Sequence, residues 1–328
     1  MNRVPEKFIL VAADRLQAFT EQVGQAAGLS QDRSQQLARL LVDNDCRGVF
    51  SHGTSGLLHY ARLMREGRVN PEPQVTVVSE TPTSALVDGD GGLGYFPAVT
   101  ATEKVIEKAA QMGMAVGVSR NHHHFGAAGI YTRMMLQHDL ICYSTSGHQL
   151  GMKAGEPLIH SAGGSPMSFA TPTATEPPFV LDFGAIHGLY GEENQRLFAE
   201  RAPTLVLRCY AMGQVCQSWG GLLAGLTIDP ARRPWSRPDA NQGAMMMAFR
   251  IDLFADPAAF KAEMDEYART VRTLEPLHGY DASHMPGALE FEREQTWRVE
   301  GIPVGERHQQ RLQEMADDFG VAPPWEDG

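Results

Sequence analysis

The sequence predicts an α/β fold. Two N-terminal segments carry apolar residues at helical spacing, and residues 85–119 show the pattern strand, glycine loop, helix, strand. The chain has 328 residues, 43% hydrophobic and 20% charged, which is ordinary for a folded protein of about two domains. Strands and helices do not alternate cleanly after residue 145, so a doubly wound parallel sheet does not follow from the pattern.

Periodicity and turn signals place the elements of the first half. Helical spacing of apolar residues predicts helices over 8–26, 35–46 and 57–66, and β-branched runs predict strands over 75–78 and 85–87. A glycine loop over 89–94 then precedes a helix over 97–112 and a strand over 114–118.

The second half is less regular. The pattern predicts a helix over 127–137, an apolar segment over 140–143, and short strands over 167–170 and 179–181. Residues 229–243 form a loop rich in Pro and Arg. The remaining predicted elements are a strand over 245–252 and helices over 257–273 and 307–319.

Charge and cysteine usage exclude several classes of function. There are 39 acidic against 28 basic residues, a formal net charge of -11, which repels nucleic acid and anionic membranes. No apolar run of about 18 residues exists, so no membrane span is predicted. No secretory signal is visible, and the four cysteines, Cys46, Cys142, Cys209 and Cys216, are too scattered for a disulfide framework. The expected location is the cytoplasm.

The glycine loop allows two interpretations. Gly89-Asp90-Gly91-Gly92-Leu93-Gly94 matches G-x-G-x-x-G between a strand and a helix, where backbone amides can hold a pyrophosphate. The acidic residue that normally closes the second strand is missing, since that strand ends in Ser119-Arg120-Asn121. The loop is therefore a phosphate cradle or only a tight turn.

Histidines provide the candidate acid–base groups. His122, His123 and His124 are consecutive and lack zinc-ligand spacing, so we expect no metal, although one or two of the rings can line a cleft. His52 lies in a small-residue loop, where it either acts as an acid or base near neutral pH or is held by a backbone carbonyl. Asp182 ends an apolar strand and either orients an imidazole or forms a turn.

Several segments together resemble the malate/L-lactate dehydrogenase-like family of NAD(P)-dependent oxidoreductases. They occur in family order over roughly residues 10–310. The matching segments are Asp45-Cys46-Arg47-Gly48-Val49-Phe50-Ser51-His52-Gly53, the 87–94 loop, the 119–129 segment, Ser165-Pro166-Met167-Ser168-Phe169-Ala170, Asp182, Asn241-Gln242-Gly243, Met285-Pro286-Gly287 and Gly301-Ile302-Pro303-Val304.

The resemblance implies a fold that is not of the Rossmann type. A largely antiparallel mixed sheet with helices would form a cofactor domain over 81–274. A helical domain would be built from both chain ends, 1–80 with 275–328, and the protein would be a homodimer.

The resemblance also implies the chemistry and the site. A hydride would move between NAD or NADP and C2 of a small 2-oxo acid or cyclic imino acid. His52, beside Ser51, would exchange the proton, Asp182 would hold that imidazole, and His124 would line the cleft near the nicotinamide. The expected substrate contacts are Arg47, Arg120, His122 and His123, and the expected cofactor contacts are Asn121, Gly126, Ser165, Pro166 and Gly287.

The chain departs from the family at functional positions. Gly56 stands where the family has an arginine that grips the substrate carboxylate, and Arg47, Arg62 and Arg120 are the candidate substitutes. Glu192 replaces a lysine, and Ala288 follows Pro286-Gly287 in place of an acidic residue. The chain is expected to be shortened over 192–207, with the family's Gly-x-Lys-Gly loop falling near residues 209–214 without its lysine, before a helix over 219–226.

Because these losses fall on cofactor and carboxylate contacts, alternatives to the reductase stay open. One is a scaffold that performs acid–base chemistry without a nicotinamide, such as elimination, isomerisation or cyclisation. Another is an inactive binding homologue.

Overall fold

The computed structural model describes residues 3–237 and 239–325 of the chain. It divides the chain into two compact units, Met1–Pro73 with Gly287–Gly328, and Gln74–Pro286. No helix within the described ranges is long and apolar enough to cross a membrane.

The first unit is mainly helical and joins the two chain ends through a short sheet. Its N-terminal part contains β1 (Phe8–Val11), α1 (Ala13–Ala26), α2 (Gln31–Cys46) and α3 (Leu57–Arg65). Its C-terminal part contains α9 (Ala288–Glu300), β9 (Ile302–Gly305) and α10 (Glu306–Phe319). The elements of the second unit come between these two parts in chain order. Strands β1 and β9 pair antiparallel. The helices bury an apolar core that includes Leu16, Leu41, Leu57 and Leu312.

The second unit contains a mixed seven-stranded sheet. Its elements are β2 (Thr76–Thr81), β3 (Ser84–Asp88), α4 (Tyr95–Met112), β4 (Met114–His122), α5 (Gly129–Leu136), β5 (Leu140–His148), β6 (Pro166–Thr171), β7 (Phe179–Gly184), α6 (Glu192–Arg201), α7 (Pro203–Cys216), β8 (Gln242–Arg250) and α8 (Pro257–Val271). The strand order is β2-β3-β4-β8-β5-β6-β7, and only the β3–β4 pair is parallel. The expected α/β fold with a largely antiparallel mixed sheet is confirmed.

One row of paired residues crosses the sheet from β4 to β7. Gly117 pairs with Met246, Met246 with Ser144, Ser144 with Ser168, and Ser168 with Asp182. Paired residues share a face of a sheet, so this row lies on one face. A side chain at Gly117 would overlap α4, and Ser144 donates a hydrogen bond to the carbonyl of Ala128, just before α5. Helices α4 and α5 therefore cover this face.

The residues one position along each strand from this row lie on the opposite face of the sheet, which is mainly apolar. Val118, Tyr143, Met167 and Met245 form a buried cluster there with Cys216 of α7. A turn of π-helix, Gln217–Leu222, packs closely on the same side, because a side chain at Gly147 would overlap the backbone of Gly220 and Gly221. The sheet thus has both faces covered, as its apolar strands require.

Three predicted elements were wrong in detail, and two helices were missed. Residues 8–11 form a strand, because they pair with β9, which lies about 290 residues further along the chain and is invisible to local periodicity. The expected loop near residues 209–214 is the last part of α7, which runs unbroken to Cys216. The helix expected over 219–226 is the π-turn that ends at Leu222, and α6 with α9 was not predicted.

Candidate functional site

His52 lies in a short turn of the first unit that a buried carboxylate holds in place. The turn Phe50–His52 follows α2, and Asn44 donates a hydrogen bond to the His52 carbonyl over 2.9 Å. Ser51 Oγ lies 2.9 Å from His52 Nδ1. The hydroxyl can donate to Nδ1 or accept a proton from it, so this contact holds the ring in place in either tautomer. The ring is partly exposed.

Asp45 is the buried carboxylate, and the sequence analysis did not assign it a role. Its Oδ2 accepts hydrogen bonds from the Thr54 amide (2.9 Å) and the Thr54 hydroxyl (2.6 Å). A side chain at Gly53 would overlap this carboxylate, which explains the glycine after His52. Burial raises the pKa of Asp45, against the opposing effects of His308 and of the Thr54 hydrogen bonds.

The hydrogen bonds continue from Asp45 through Thr54 to His308 at the start of α10. Thr54 Oγ1 lies 2.8 Å from His308 Nε2. Because the hydroxyl donates to Asp45, it accepts from His308, which places the neutral ring proton of His308 on Nε2. No sequence signal connected these three residues, since 254 positions separate Thr54 from His308.

A cavity of about 820 Å³ opens beside this network within the first unit. Ser51, Ser55, His308 and Arg311 are among its lining residues. Its volume lies within the range of about 300–1,000 Å³ that is typical of small-molecule sites.

The three arginines considered as substitutes at Gly56 are each paired with a carboxylate. Arg47 makes a two-point contact with Glu294, with distances of 2.7 and 2.8 Å. Arg62 contacts Asp318 at 2.7 Å. Arg120 contacts Asp88 at 3.0 Å. The structure gives Arg47 and Arg120 a partner within their own unit, which does not support the expected substrate contacts.

The glycine loop of the second unit is a tight turn and not a phosphate cradle. The amides of Gly89, Gly91 and Gly94 donate to the carbonyls of Arg120, Asn121 and His124, respectively. The amide of Gly92 donates to Gly89. Because these amides are used inside the protein, the phosphate interpretation is wrong. The loop instead positions the segment that carries the three histidines.

The three histidines differ in environment. His122 is fully buried, with Nδ1 donating to the His123 carbonyl (2.6 Å) and Nε2 beside Ser119 Oγ (2.9 Å). Burial lowers its pKa to about 4, so it is neutral at pH 7. Both ring nitrogens have partners inside the protein, which does not support the expected substrate contact of His122. His123 is also largely buried.

His124 remains suited to a role in a cleft. It is partly exposed, and its Nδ1 accepts a hydrogen bond from the Gly126 amide over 3.3 Å. The neutral ring therefore carries its proton on Nε2. Gly126 has a φ of 82°, and a side chain there would overlap Tyr95. The glycine thus lets the chain turn tightly behind His124.

Asp182 positions the start of α5. Its Oδ2 accepts a hydrogen bond from the Gly129 amide over 3.0 Å, and Gly129 is the first residue of the helix. Thr132 of α5 shares a 2.7 Å hydrogen bond with Ser168, which stands beside Asp182 in the register row. A carboxylate at a helix N-terminus is also favoured by the helix dipole. The expected pairing of Asp182 with His52 joins the two units and stays a prediction.

The remaining expected cofactor residues have structural contacts. Asn121 has a φ of 54° and donates to Asp88 over 2.7 Å. Buried Ser165 has a φ of 49° and accepts from the Ile186 amide over 3.2 Å. Pro166 begins β6, and Gly287, with a φ of 92°, caps α9 in the first unit.

A cavity of about 510 Å³ lies in the second unit, and Gly163 and Gly164, next to Ser165, are part of its lining. His148, Gln149 and Gln195 supply hydrogen-bonding groups, and burial lowers the pKa of His148. None of the described residues that line this cavity is a lysine or arginine. Its volume is large enough for a small molecule or part of a larger one. Within the described ranges, no cluster of three or more metal-ligating side chains exists.

The sequence analysis singled out His52 and His124, whose catalytic roles stay predictions. It gave no role to Asp45, His308 or Arg311, which the structure brings close to His52. Asp45 lies in one of the matching segments, which was the available signal.

Comparisons with known proteins agree over most of the chain. A family model of malate/L-lactate dehydrogenase matches residues 11–191 and 203–313. The L-sulfolactate dehydrogenase of Methanocaldococcus jannaschii is 24% identical over 323 residues, covering 90% of this chain and 92% of that enzyme. The malate dehydrogenase of Pyrococcus abyssi is 24% identical over 359 residues, covering 97% of each. The solved structure of the malate dehydrogenase of Pyrococcus horikoshii matches with a TM-score of 0.82 and 25% identity, covering 98% of each chain.

The match to the family model stops at residue 191 and resumes at residue 203. This break coincides with α6, at the place where a shortened chain was expected. The alignment with the Pyrococcus abyssi enzyme spans 359 positions, more than the 328 residues of this chain, so it contains gaps in this chain.

Proposed function

The chain belongs to the malate/L-lactate dehydrogenase family of nicotinamide-dependent dehydrogenases, and from this membership we propose the reaction that it catalyses. The protein moves a hydride between NAD(P)(H) and C2 of a small 2-oxo acid or cyclic imino acid. The similar enzymes are named for sulfolactate and malate, which are both 2-hydroxy acids. The observation that carries the proposal is the His52 turn, in which Ser51 Oγ holds a partly exposed imidazole through Nδ1.

His52 exchanges the proton that accompanies the hydride. In the reducing direction the protonated imidazole donates its Nε2 proton to the oxygen or nitrogen on C2 and becomes neutral, with its remaining proton on Nδ1. In the oxidising direction the neutral ring accepts a proton at Nε2 from that oxygen or nitrogen as the hydride leaves C2. In this proposal Nδ1–H donates to Ser51 Oγ, which lies 2.9 Å away, so that Nε2 is the atom that exchanges the proton. The bound nicotinamide supplies the hydride for reduction.

His124 and Asp182 act in the second unit. His124 presents Nε2–H as a hydrogen-bond donor toward the bound cofactor or substrate. Asp182 fixes the start of α5 and, in this proposal, orients the His52 imidazole in the active protein. The homodimer, the cytoplasmic location and a small-molecule substrate complete the proposal.

The cofactor is NADH in preference to NADPH. A 2′-phosphate needs a cationic partner. Arg120, which precedes the expected cofactor contact Asn121, is paired with Asp88, and the 510 Å³ cavity has no lysine or arginine among its described lining residues. Quenching of fluorescence from the four tryptophans during titration should show NADH binding at least about tenfold more tightly than NADPH. Tighter binding of NADPH would contradict this preference.

The reaction is tested by following NADH oxidation at 340 nm with a panel of 2-oxo acids and cyclic imino acids. His52→Gln should lower kcat by at least about 100-fold, because it removes the proton donor, while NADH binding is retained. His59→Gln is the matched control, since His59 is exposed on α3. Unchanged turnover in His52→Gln would exclude His52 as the acid.

A further inference from the structure

The first unit has an arginine close to the position where the family arginine is missing. Arg311 lies on α10, and its Nη1 donates to the Ser55 carbonyl over 3.4 Å. Ser55 directly precedes Gly56. Arg311 and Ser55 both line the 820 Å³ cavity, together with Ser51.

We propose that Arg311, with His308 one helical turn before it, binds the substrate carboxylate in place of the arginine that Gly56 lacks. This inference rests on the proposed function. It assigns the anion-binding residues of that reaction to α10 instead of the loop after His52.

The availability of Arg311 supports this role. Arg47, Arg62 and Arg120 each contact a carboxylate. Arg311, by contrast, makes no ion pair with any residue that the structure describes. A guanidinium has five N–H donors, so the bond to Ser55 leaves donors for a two-point contact with a carboxylate.

The charge of the cavity also favours an anion. Its lining contains three cationic side chains, Lys7, Arg307 and Arg311, against two carboxylates, Glu6 and Glu306. This excess of positive charge occurs in a chain with a formal net charge of -11. A small acidic ligand would therefore meet a favourable local potential.

His308 is held in a position to assist. It precedes Arg311 by three residues, so both side chains lie on one face of α10. Thr54 Oγ1 lies 2.8 Å from its Nε2 and donates in turn to Asp45, and Nδ1 makes no hydrogen bond within the described part of the chain. Nδ1 can therefore accept a hydrogen bond from a hydroxyl group of the ligand, beside the carboxylate that Arg311 holds.

Gly56 itself allows a decisive rescue experiment. Its backbone is right-handed helical, with φ −74° and ψ −22°. A Cβ there would lie 3.7 Å from the Tyr60 ring, which is an ordinary contact distance. An arginine can therefore be introduced at this position without strain at Cβ.

The first test measures steady-state kinetics with NADH and the best 2-oxo acid of the panel. Arg311→Ala should raise KM about 30-fold and change kcat by less than about threefold. Arg311→Lys should recover part of the loss, and Gly56→Arg in the Arg311→Ala background should recover most of it. Arg39→Ala, on an exposed part of α2, is the control. An unchanged KM in Arg311→Ala, or no rescue by Gly56→Arg together with no recovery by Arg311→Lys, would overturn the proposal.

The second test does not depend on turnover. Isothermal titration with oxalate should show binding that Arg311→Ala weakens about 30-fold and Arg307→Ala weakens less than about threefold. Equal effects of the two substitutions would mean that only the overall charge matters, which would overturn the role of Arg311. If oxalate binding depends on Arg311 but neither NADH binding nor reduction occurs, the anion site stands and the proposed reductase function fails. If 2-oxo acids are reduced but Arg311→Ala changes neither KM nor oxalate binding, the proposed reductase function stands and the anion site at Arg311 fails.

Discussion

His122 makes the stability of the second unit depend on pH in a predictable way. Its ring is fully buried, and desolvation lowers its pKa to about 4. In the unfolded chain a histidine takes up a proton at a pKa of about 6.5. Below that pH the unfolded state binds more protons than the folded state, so the stabilising contribution is present above about pH 6.5 and is lost as the pH falls toward 4. Between pH 7.5 and pH 5 the loss amounts to about 2 kcal/mol.

The assay is urea denaturation of the wild type and His122→Gln at pH 7.5 and pH 5, followed by circular dichroism. Glutamine does not titrate, so the wild type should lose about 2 kcal/mol more than the variant between the two values of pH. His138→Gln, which alters an exposed ring in the same unit, should behave like the wild type. An equal loss of stability in the wild type and in His122→Gln would refute the argument that this histidine is neutral because it is buried.

Two further substitutions test the local structure. Gly53→Ala should lower the free energy of unfolding by at least about 3 kcal/mol, since its Cβ would overlap the Asp45 carboxylate. Gly188→Ala is the thermal-denaturation control, because nothing surrounds that position within 4 Å, and equal melting temperatures would contradict the role of Asp45. Asp182→Ala should increase hydrogen exchange at the start of α5 by about tenfold, because the Gly129 amide loses its acceptor. Mass spectrometry of peptides covering 129–136 measures this, and unchanged protection would show that Asp182 does not hold the helix.

Local patterns predicted most of the elements of the second unit. The stretch from β3 through α4 to β4 has clear helical and strand periodicity, and its order in the structure is the expected one. Strand β1 was misread as part of a helix, because its partner β9 lies at the other end of the chain. Helix α6 has no buried residue, so no apolar face was present in the sequence to reveal it.

For the candidate site too, short motifs could be read from the sequence, whereas contacts between distant segments could not. His52 and His124 were chosen as candidates because each lies in a short motif, and their catalytic roles stay predictions. The glycine loop matched a phosphate motif, but sequence alone does not show that its amides already bind the carbonyls of residues 120–124. Arg311 and His308 were missed, because only the folded chain brings α10 to the turn after His52.

Isotope transfer would show directly whether this protein moves a hydride. The protein is incubated with NADH deuterated at C4 on either face, together with the 2-oxo acids of the panel, and the products are analysed by mass spectrometry. We expect a 2-hydroxy acid that carries one deuterium on C2 from only one of the two labelled cofactors, with formation lost in His52→Gln. Conversion of a substrate without any nicotinamide, or with no deuterium at C2, would contradict this expectation and favour acid–base chemistry that needs no cofactor.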